Sequence, residues 1–123
     1  MGKSKIMIVD DNRLILEVVG DYFEEAGFDV VKRDSALGTS TAVYEEQPDC
    51  ILLDVNMPTL SGDEMVEMIR NSSKKDVKVI LHSEQDEWDL KKLAEKTGAD
   101  GFFKKSGNRE VLLKMVQKAI SPW

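Results

Sequence analysis

Ile6-Met7-Ile8-Val9-Asp10-Asp11-Asn12 is an unbroken apolar run that stops at two acids and an amide. Four apolar residues without alternation mark a strand covered on both faces, the habit of parallel sheets. Asp10-Asp11-Asn12 ends the strand and offers a cap to a helix beyond it. Between residues 14 and 26 the apolar positions fall at 14/15, 18/19, 22/23 and 26, a single helical stripe. Gly27 closes that helix as a C-terminal cap.

The same unit repeats to the end of the chain. Residues 28–31 read as a short strand, and residues 35–46 as a weaker helix with Ala36, Ala42 and Val43 on one side. Pro48-Asp49 breaks the chain before Cys50-Ile51-Leu52-Leu53, a third buried strand that ends at Asp54. Met57-Pro58 and Ser61-Gly62 mark a loop, and residues 62–71 form a third helix carrying Met65, Val66 and Ile69. Residues 77–81 are a fourth strand, residues 84–96 a fourth helix, and residues 98–104 a turn with a fifth strand. A last helix over residues 111–120 shows its stripe at 111/112, 115/116 and 119/120. Five strands alternating with five helices predict an α/β fold: a five-stranded parallel sheet with helices on both faces.

Bulk properties narrow the function. The 123 residues fit a single domain, read as 1–123, and 41% hydrophobic with 33% charged residues is an ordinary globular balance. A net charge of -6 argues against direct nucleic-acid binding, which needs a basic footprint. Cys50 stands alone, so no internal disulfide forms and a reducing cytoplasm is the expected location. No apolar stretch reaches signal-peptide or membrane-spanning length. Met1-Gly2 is rejected as a lipidation start because Ile6 stands where a hydroxyl residue is required. Nothing in Ser121-Pro122-Trp123, after the last helix, resembles an output domain.

In open parallel sheets, ligands bind beyond the carboxyl ends of the strands, near the point where strand order reverses. Under the flavodoxin-like, doubly wound order 2-1-3-4-5, the first and third strands are neighbours there, so Asp10, Asp11 and Asp54 converge. Three carboxylates repel one another, and a magnesium ion with its preference for oxygen ligands resolves the conflict. Asp54 can then act as a nucleophile towards phosphorus. The charge on an arriving phosphoryl group needs a hydroxyl and a cation, and Ser83 and Lys105 end the fourth and fifth strands. Taken singly, Asp-Asp is a helix cap, Asp54 a turn residue and Lys104-Lys105 a solvated pair. Their joint placement on one rim favours a site.

Val9-Asp10-Asp11, Leu53-Asp54-Val55-Asn56-Met57-Pro58 with Gly62, Ser83, and residues 98–105 (GADGFFKK) together resemble the response-regulator receiver domain of two-component signalling. The resemblance covers essentially the whole chain. It implies that Asp10 and Asp11 hold Mg2+, with the backbone carbonyl of Asn56 as a further ligand. It implies that Asp54 accepts phosphate from a histidine kinase or phosphotransfer protein, and that Ser83 and Lys105 contact the phosphoryl group. Phe102 matches the aromatic switch residue. The face made by the fourth helix, fifth strand and fifth helix would then bind a downstream protein target or a second copy. Trp88 on that fourth helix is either packing or an exposed anchor for such a partner.

Three departures from the family pattern stand out. Ser106 replaces a proline usually joined by a cis bond, and a non-proline cis bond costs about 3–4 kcal/mol. Glu84 follows Ser83 where a small residue is usual, and a bulky acid there slows phosphoryl transfer by crowding and repulsion. Ser83 stands for the commoner threonine and keeps the hydroxyl. Two other readings carry less. His82, the only histidine, lies in strand context rather than on a helical bundle, so it is read as a packed residue at the pocket's edge and not as a phosphohistidine. A flavin carrier on the same fold lacks its phosphate loop, since no Gly- or Ser/Thr-rich segment follows the first strand.

Overall fold

The computed structural model describes residues 3–58 and 60–121. The readings placed on Met1-Gly2 and on Pro122-Trp123 lie outside the described residues. Along the chain run β1 (Lys5–Val9), α1 (Arg13–Glu25), β2 (Asp29–Arg33), α2 (Thr39–Glu46) and β3 (Cys50–Asp54). They are followed by α3 (Gly62–Ser72), β4 (Lys78–Ser83), α4 (Glu87–Thr97), β5 (Gly101–Lys104) and α5 (Arg109–Ile120). All strand pairs are parallel, and the order across the sheet is β2-β1-β3-β4-β5.

The unbroken apolar strands are explained by two cores, one on each face. Ile6, Ile8, Cys50, Leu52 and Ile80 face Leu16, Val19 and Phe23 of α1 and Leu112 and Val116 of α5. The alternate residues Met7, Val9, Ile51, Leu53, Val79 and Leu81 join Val43, Met65, Val66, Ile69 and Leu90 on the other side. Because successive strand side chains point to opposite faces, burial on both sides makes the middle of each central strand apolar and leaves polar residues to its ends. Met65 is buried in the second of these cores with Met68 packed half-buried against it, while Met115 packs half-buried against the first.

Side-chain caps set where the helices begin. Asn12 Oδ1 accepts from the backbone nitrogens of Leu14 at 2.9 Å and Ile15 at 3.3 Å, starting α1. Ser61 and Glu64 form a reciprocal capping box on α3. Asp86 caps α4 and Asn108 caps α5. Gly27, at φ +97, turns the chain out of α1 as expected.

Several boundaries differ from the periodicity. The stripe of α1 is centred on Leu16, Val19 and Phe23, whereas Leu14, two residues before Leu16, is turned to the opposite face of the helix and is 66% exposed. Phe28 packs in the core just before β2 rather than within it. Helix α2 starts at Thr39, not 35, because Gly38 adopts a left-handed φ of +83 and Ser35–Leu37 form a loop. β4 extends through His82 and Ser83, so residues 84–86 precede α4 instead of opening it. α5 starts two residues early, at Arg109, and Val111 is exposed.

Phe23 anchors the α1 side. It is fully buried and meets Phe28 edge-on at a centroid distance of 5.2 Å and Tyr22 at 6.0 Å. Phe23→Ala is expected to cost about 4 kcal/mol, through lost burial plus the cavity left behind. Urea denaturation measures it.

Candidate functional site

The carboxyl ends of β1 and β3 lie side by side where the strand order reverses, with Val9 paired to Leu53 and Asp54 paired to His82. Asp10, Asp11 and Asp54 each bring a carboxylate oxygen to this point, all within 4.8 Å of one another. Asp10 is 1% and Asp54 3% exposed, while Asp11 is open to solvent. Lys105, just past β5, reaches across to both buried acids: Nζ lies 2.8 Å from Asp10 Oδ2 and 3.5 Å from Asp54 Oδ2.

Local backbone geometry holds these acids in place. Asp10 Oδ1 accepts from Asn12 N at 2.9 Å, and Asp54 Oδ1 accepts from Asn56 N at 3.0 Å, so each carboxylate is braced by the turn after it. Asp10 Oδ2 is left without a hydrogen bond, because the ammonium of Lys105 approaches it as an ion pair off the bonding direction. A buried carboxylate oxygen in that state, beside two further acids, has the donor set a hard divalent cation prefers. The residues present therefore fit Mg2+.

Ser83 is fully buried, and its Oγ accepts from Asn56 Nδ2 at 3.0 Å and from the backbone of Gln85 at 3.1 Å. Its carbonyl accepts from Lys105 N at 2.8 Å, which ties the end of β4 to the lysine. Lys104 and Lys105 part ways as strand alternation requires, and Lys105 alone makes the ion pairs with Asp10 and Asp54. No cis peptide bond occurs among the described residues, so the chain passes from Lys105 to Ser106 in the trans form. Glu84 is exposed at the rim.

Burial raises the pKa of the Asp54 carboxyl, and the charges of Asp10 and Asp11 add to it against the Asn56 hydrogen bond and Lys105. Burial opposes the charge on Lys105, but contact with Asp10 and the charge of Asp54 outweigh it and hold the ammonium above its ordinary value. Burial, helped by Lys105, pushes His82 down to about 4. The imidazole is 3% exposed, stacks on Phe103 at 6.5 Å, and its Nδ1 has no partner. Packing, the reading made from its strand context, is what the structure shows.

His82 therefore weakens the fold in acid. Between its ordinary value of 6.5 and about 4, the unfolded chain takes up a proton that the folded chain refuses. Stability falls as the pH drops through that window, by about 1.4 kcal/mol per unit. In metal-free buffer, His82→Leu is expected to gain about 3 kcal/mol on the wild type between pH 6.5 and 4. Chemical denaturation at a series of pH values reads the difference.

Phe102 and Trp88 lie away from the acids. Phe102 is half-buried on β5, paired with Leu81 and packed against the α2–α4 side of the core. It lines a groove with Glu87, Val111 and Met115, between α4 and α5. Trp88 is 63% exposed on the first turn of α4, with Lys92 Nζ 4.7 Å above its ring. Of its two readings, packing fails, because Leu90 and Ala94 fill the inner face of that helix. Sequence reasoning missed Gln85, whose side-chain Nε2 donates to Asn56 Oδ1 at 3.2 Å. A polar residue after a strand carries no signal of such a contact.

A family model described as the response regulator receiver domain matches residues 6–117. A cyclic di-GMP phosphodiesterase of Thermotoga maritima is 31% identical over 115 residues, which are 94% of this chain and 30% of that protein. The polar-differentiation response regulator DivK of Brucella ovis is 34% identical over 71 residues, 58% of this chain and 57% of DivK. The chain thus spans less than two thirds of these relatives. Among solved structures, the chemotaxis protein CheY4 of Vibrio cholerae superposes with a TM-score of 0.86 at 28% identity, covering 96% of this chain and 99% of that one.

Proposed function

Because the chain belongs to the response regulator receiver domain family, whose members are signalling modules, we propose that it is a phosphoacceptor that takes a phosphoryl group onto Asp54. The observation that carries this reading is the convergence of Asp10, Asp11 and Asp54 within 4.8 Å, with Lys105 between the two buried acids. A carboxylate oxygen of Asp54 attacks phosphorus, and an oxygen–phosphorus bond forms. The bond from phosphorus to the donor breaks, and its electron pair leaves with the donor atom. The Lys105 ammonium and the Ser83 hydroxyl meet the charge on the phosphoryl oxygens.

Asp10, Asp11, Asp54 and the backbone carbonyl of Asn56 would hold Mg2+. When bound, the ion supplies positive charge that offsets the carboxylates and the phosphoryl oxygens. The donor is a histidine kinase or a phosphotransfer protein. Phosphorylation adds about 1.5–2 negative charges, by analogy with phosphoserine. Ser83 and Phe102 carry that change to the α4–β5–α5 face, where Trp88 stands exposed, and a downstream protein or a second copy binds there. The chemistry proposed for the domain is self-catalysed phosphorylation and slow hydrolysis, that of a signalling module rather than a conventional turnover enzyme. The lone thiol, Cys50, is buried and pushed up to about 12 by burial first, then by Asp100 and Asp49, so it is unreactive; a cytoplasmic location is part of the proposal. Among the described residues no helix is long and apolar enough to cross a membrane, and no direct nucleic-acid partner is proposed.

Weighing the intact protein after incubation with acetyl phosphate, with and without Mg2+, tests this reading. A gain of one phosphoryl group that requires Mg2+ supports it. No gain with Mg2+ present overturns it in favour of a receiver-like binding domain that works without phosphate, the reading that Glu84 and Ser106 favour.

A further inference from the structure

The turn that carries Lys105 out of β5 is closed by a residue with no side chain. Gly107 N donates to Lys104 O at 2.9 Å, which makes Lys105 and Ser106 the two corner residues. Lys105 N is fixed to Ser83 O at 2.8 Å, so the lysine leaves the sheet at a set point. From there its ammonium reaches Asp10 at 2.8 Å and Asp54 at 3.5 Å. A proline at position 106 would stiffen this corner through its fixed φ, but serine stands there. Glycine at the fourth position of such a turn is common in any case. What is particular here is the aromatic ring of Phe103 directly against it.

A Cβ built on Gly107 would lie 2.6 Å from Cζ and 2.7 Å from Cε2 of Phe103, and 3.1 Å from Lys104 O. Real Cβ atoms do not come within 3.0 Å of a neighbour, so the ring or the turn would have to give by about 0.4 Å or more. The φ of Gly107 lies outside the left-handed region, so glycine is required by this close approach and not by backbone strain. The ring is poorly placed to yield. Phe103 packs half-buried against the α1–α5 core and stacks at 6.5 Å on His82, which is only 3% exposed. Lys104 O cannot yield without opening the turn it closes. A methyl group at position 107 would therefore lift the corner, and Lys105 with it. We propose that Gly107 is a positioning residue: seated on the Phe103 ring, it closes the turn that holds the Lys105 ammonium against Asp10 and Asp54. Its consequence for phosphoryl transfer rests on the phosphoacceptor reading of the site.

The test follows phosphoryl uptake from acetyl phosphate in Mg2+ by intact mass, and unfolding midpoints in metal-free buffer. Gly107→Ala is placed in the wild type and again in the Lys105→Met and Phe103→Leu backgrounds. In the wild type it is expected to slow uptake about tenfold, since misplacing a reacting partner by about 1 Å costs about a hundredfold. In Lys105→Met it is expected to cost no further uptake, because no ammonium remains to be moved. In Phe103→Leu it is expected to cost none either, because the two ring atoms it would meet are gone. The midpoints give a readout that needs no phosphate. Lys105→Met should lower the midpoint less in the Gly107→Ala background than in the wild type, because the ion pairs are already weakened there. Equal uptake by wild type and Gly107→Ala, or a slowing that survives in either background, overturns the inference. If the wild type takes up no phosphoryl group, the phosphoacceptor reading fails and the midpoints alone decide. An undiminished cost of Lys105→Met then overturns this inference, and a diminished one upholds it.

Discussion

Asp54→Asn is expected to take up no phosphoryl group from acetyl phosphate, and yet to unfold at a higher temperature than the wild type in metal-free buffer at neutral pH. The first effect follows from chemistry: an amide oxygen carries no charge to direct at phosphorus, and Asp10, the other buried acid, is held by the Lys105 ammonium at 2.8 Å. The second follows from electrostatics. Burial raises the carboxyl pKa of Asp54 above its ordinary 3.8, with Asp10 and Asp11 adding to the shift. A raised carboxyl holds its proton more tightly in the folded state, so its contribution to stability is fully present below 3.8 and lost as the pH rises through the raised value. At neutral pH the ionised group is a net burden on the fold, and asparagine removes it while keeping the acceptor for Asn56. The advantage of the variant should shrink towards pH 4 and narrow again when Mg2+ is added, since the wild type gains the ion. Thermal melts over pH with and without Mg2+ read both trends.

Lys105→Met is the second large effect, with the opposite sign. The ammonium is 12% exposed and stands 2.8 Å from Asp10 and 3.5 Å from Asp54, so its loss leaves buried acids without their counter-charge. Breaking a buried ion pair from one side costs about 3 kcal/mol or more. The pKa of the lysine lies above 10.5, so its stabilisation is fully present below pH 10.5, and the deficit of the variant should hold across the neutral range. Mg2+ should restore much of it. The lysine is also a competitor for the ion, because it occupies Asp10 Oδ2, an oxygen the metal would use. The variant is therefore expected to gain more stability from Mg2+ than the wild type does. Phosphoryl uptake should fall by about 10²–10³, the usual loss when one preorganised charge partner is removed. Melting curves at a series of Mg2+ concentrations separate the stability deficit from the loss of transfer.

The sheet and the acid cluster were legible in the sequence for one physical reason: both sit at strand ends. Residues 6–9, 50–53 and 79–81 lie in strands covered on two faces, so their apolar runs do not alternate and stand out. Asp10 and Lys105 follow β1 and β5, Asp54 and Ser83 end β3 and β4, and parallel order then gathers them on one edge. What the sequence hid depends on the path of loops and on which residue of an apolar run faces the core. Leu14 is apolar but lies on the face of α1 opposite Leu16, Val19 and Phe23, so the run of three apolar residues at 14–16 hides which of them faces the core. The late start of α2 turns on a positive φ at Gly38, and that of α4 on the side chain of Asp86. Trp88 could not be placed by pattern alone. It lies two residues before Leu90, and a helix rotates such a neighbour to the far side. The Gln85–Asn56–Ser83 chain joins two loops through amide side chains, and no spacing rule encodes that.

The most direct test is where the phosphoryl group goes. Reducing the acetyl phosphate-treated protein with borohydride converts an aspartyl phosphate to homoserine, and peptide mass mapping then locates the altered residue. Homoserine at position 54 alone, formed only when Mg2+ was present, is the predicted result. Homoserine at position 10 or 11, or its absence from a protein that has gained the mass of a phosphoryl group, would contradict the assignment of Asp54 as the nucleophile.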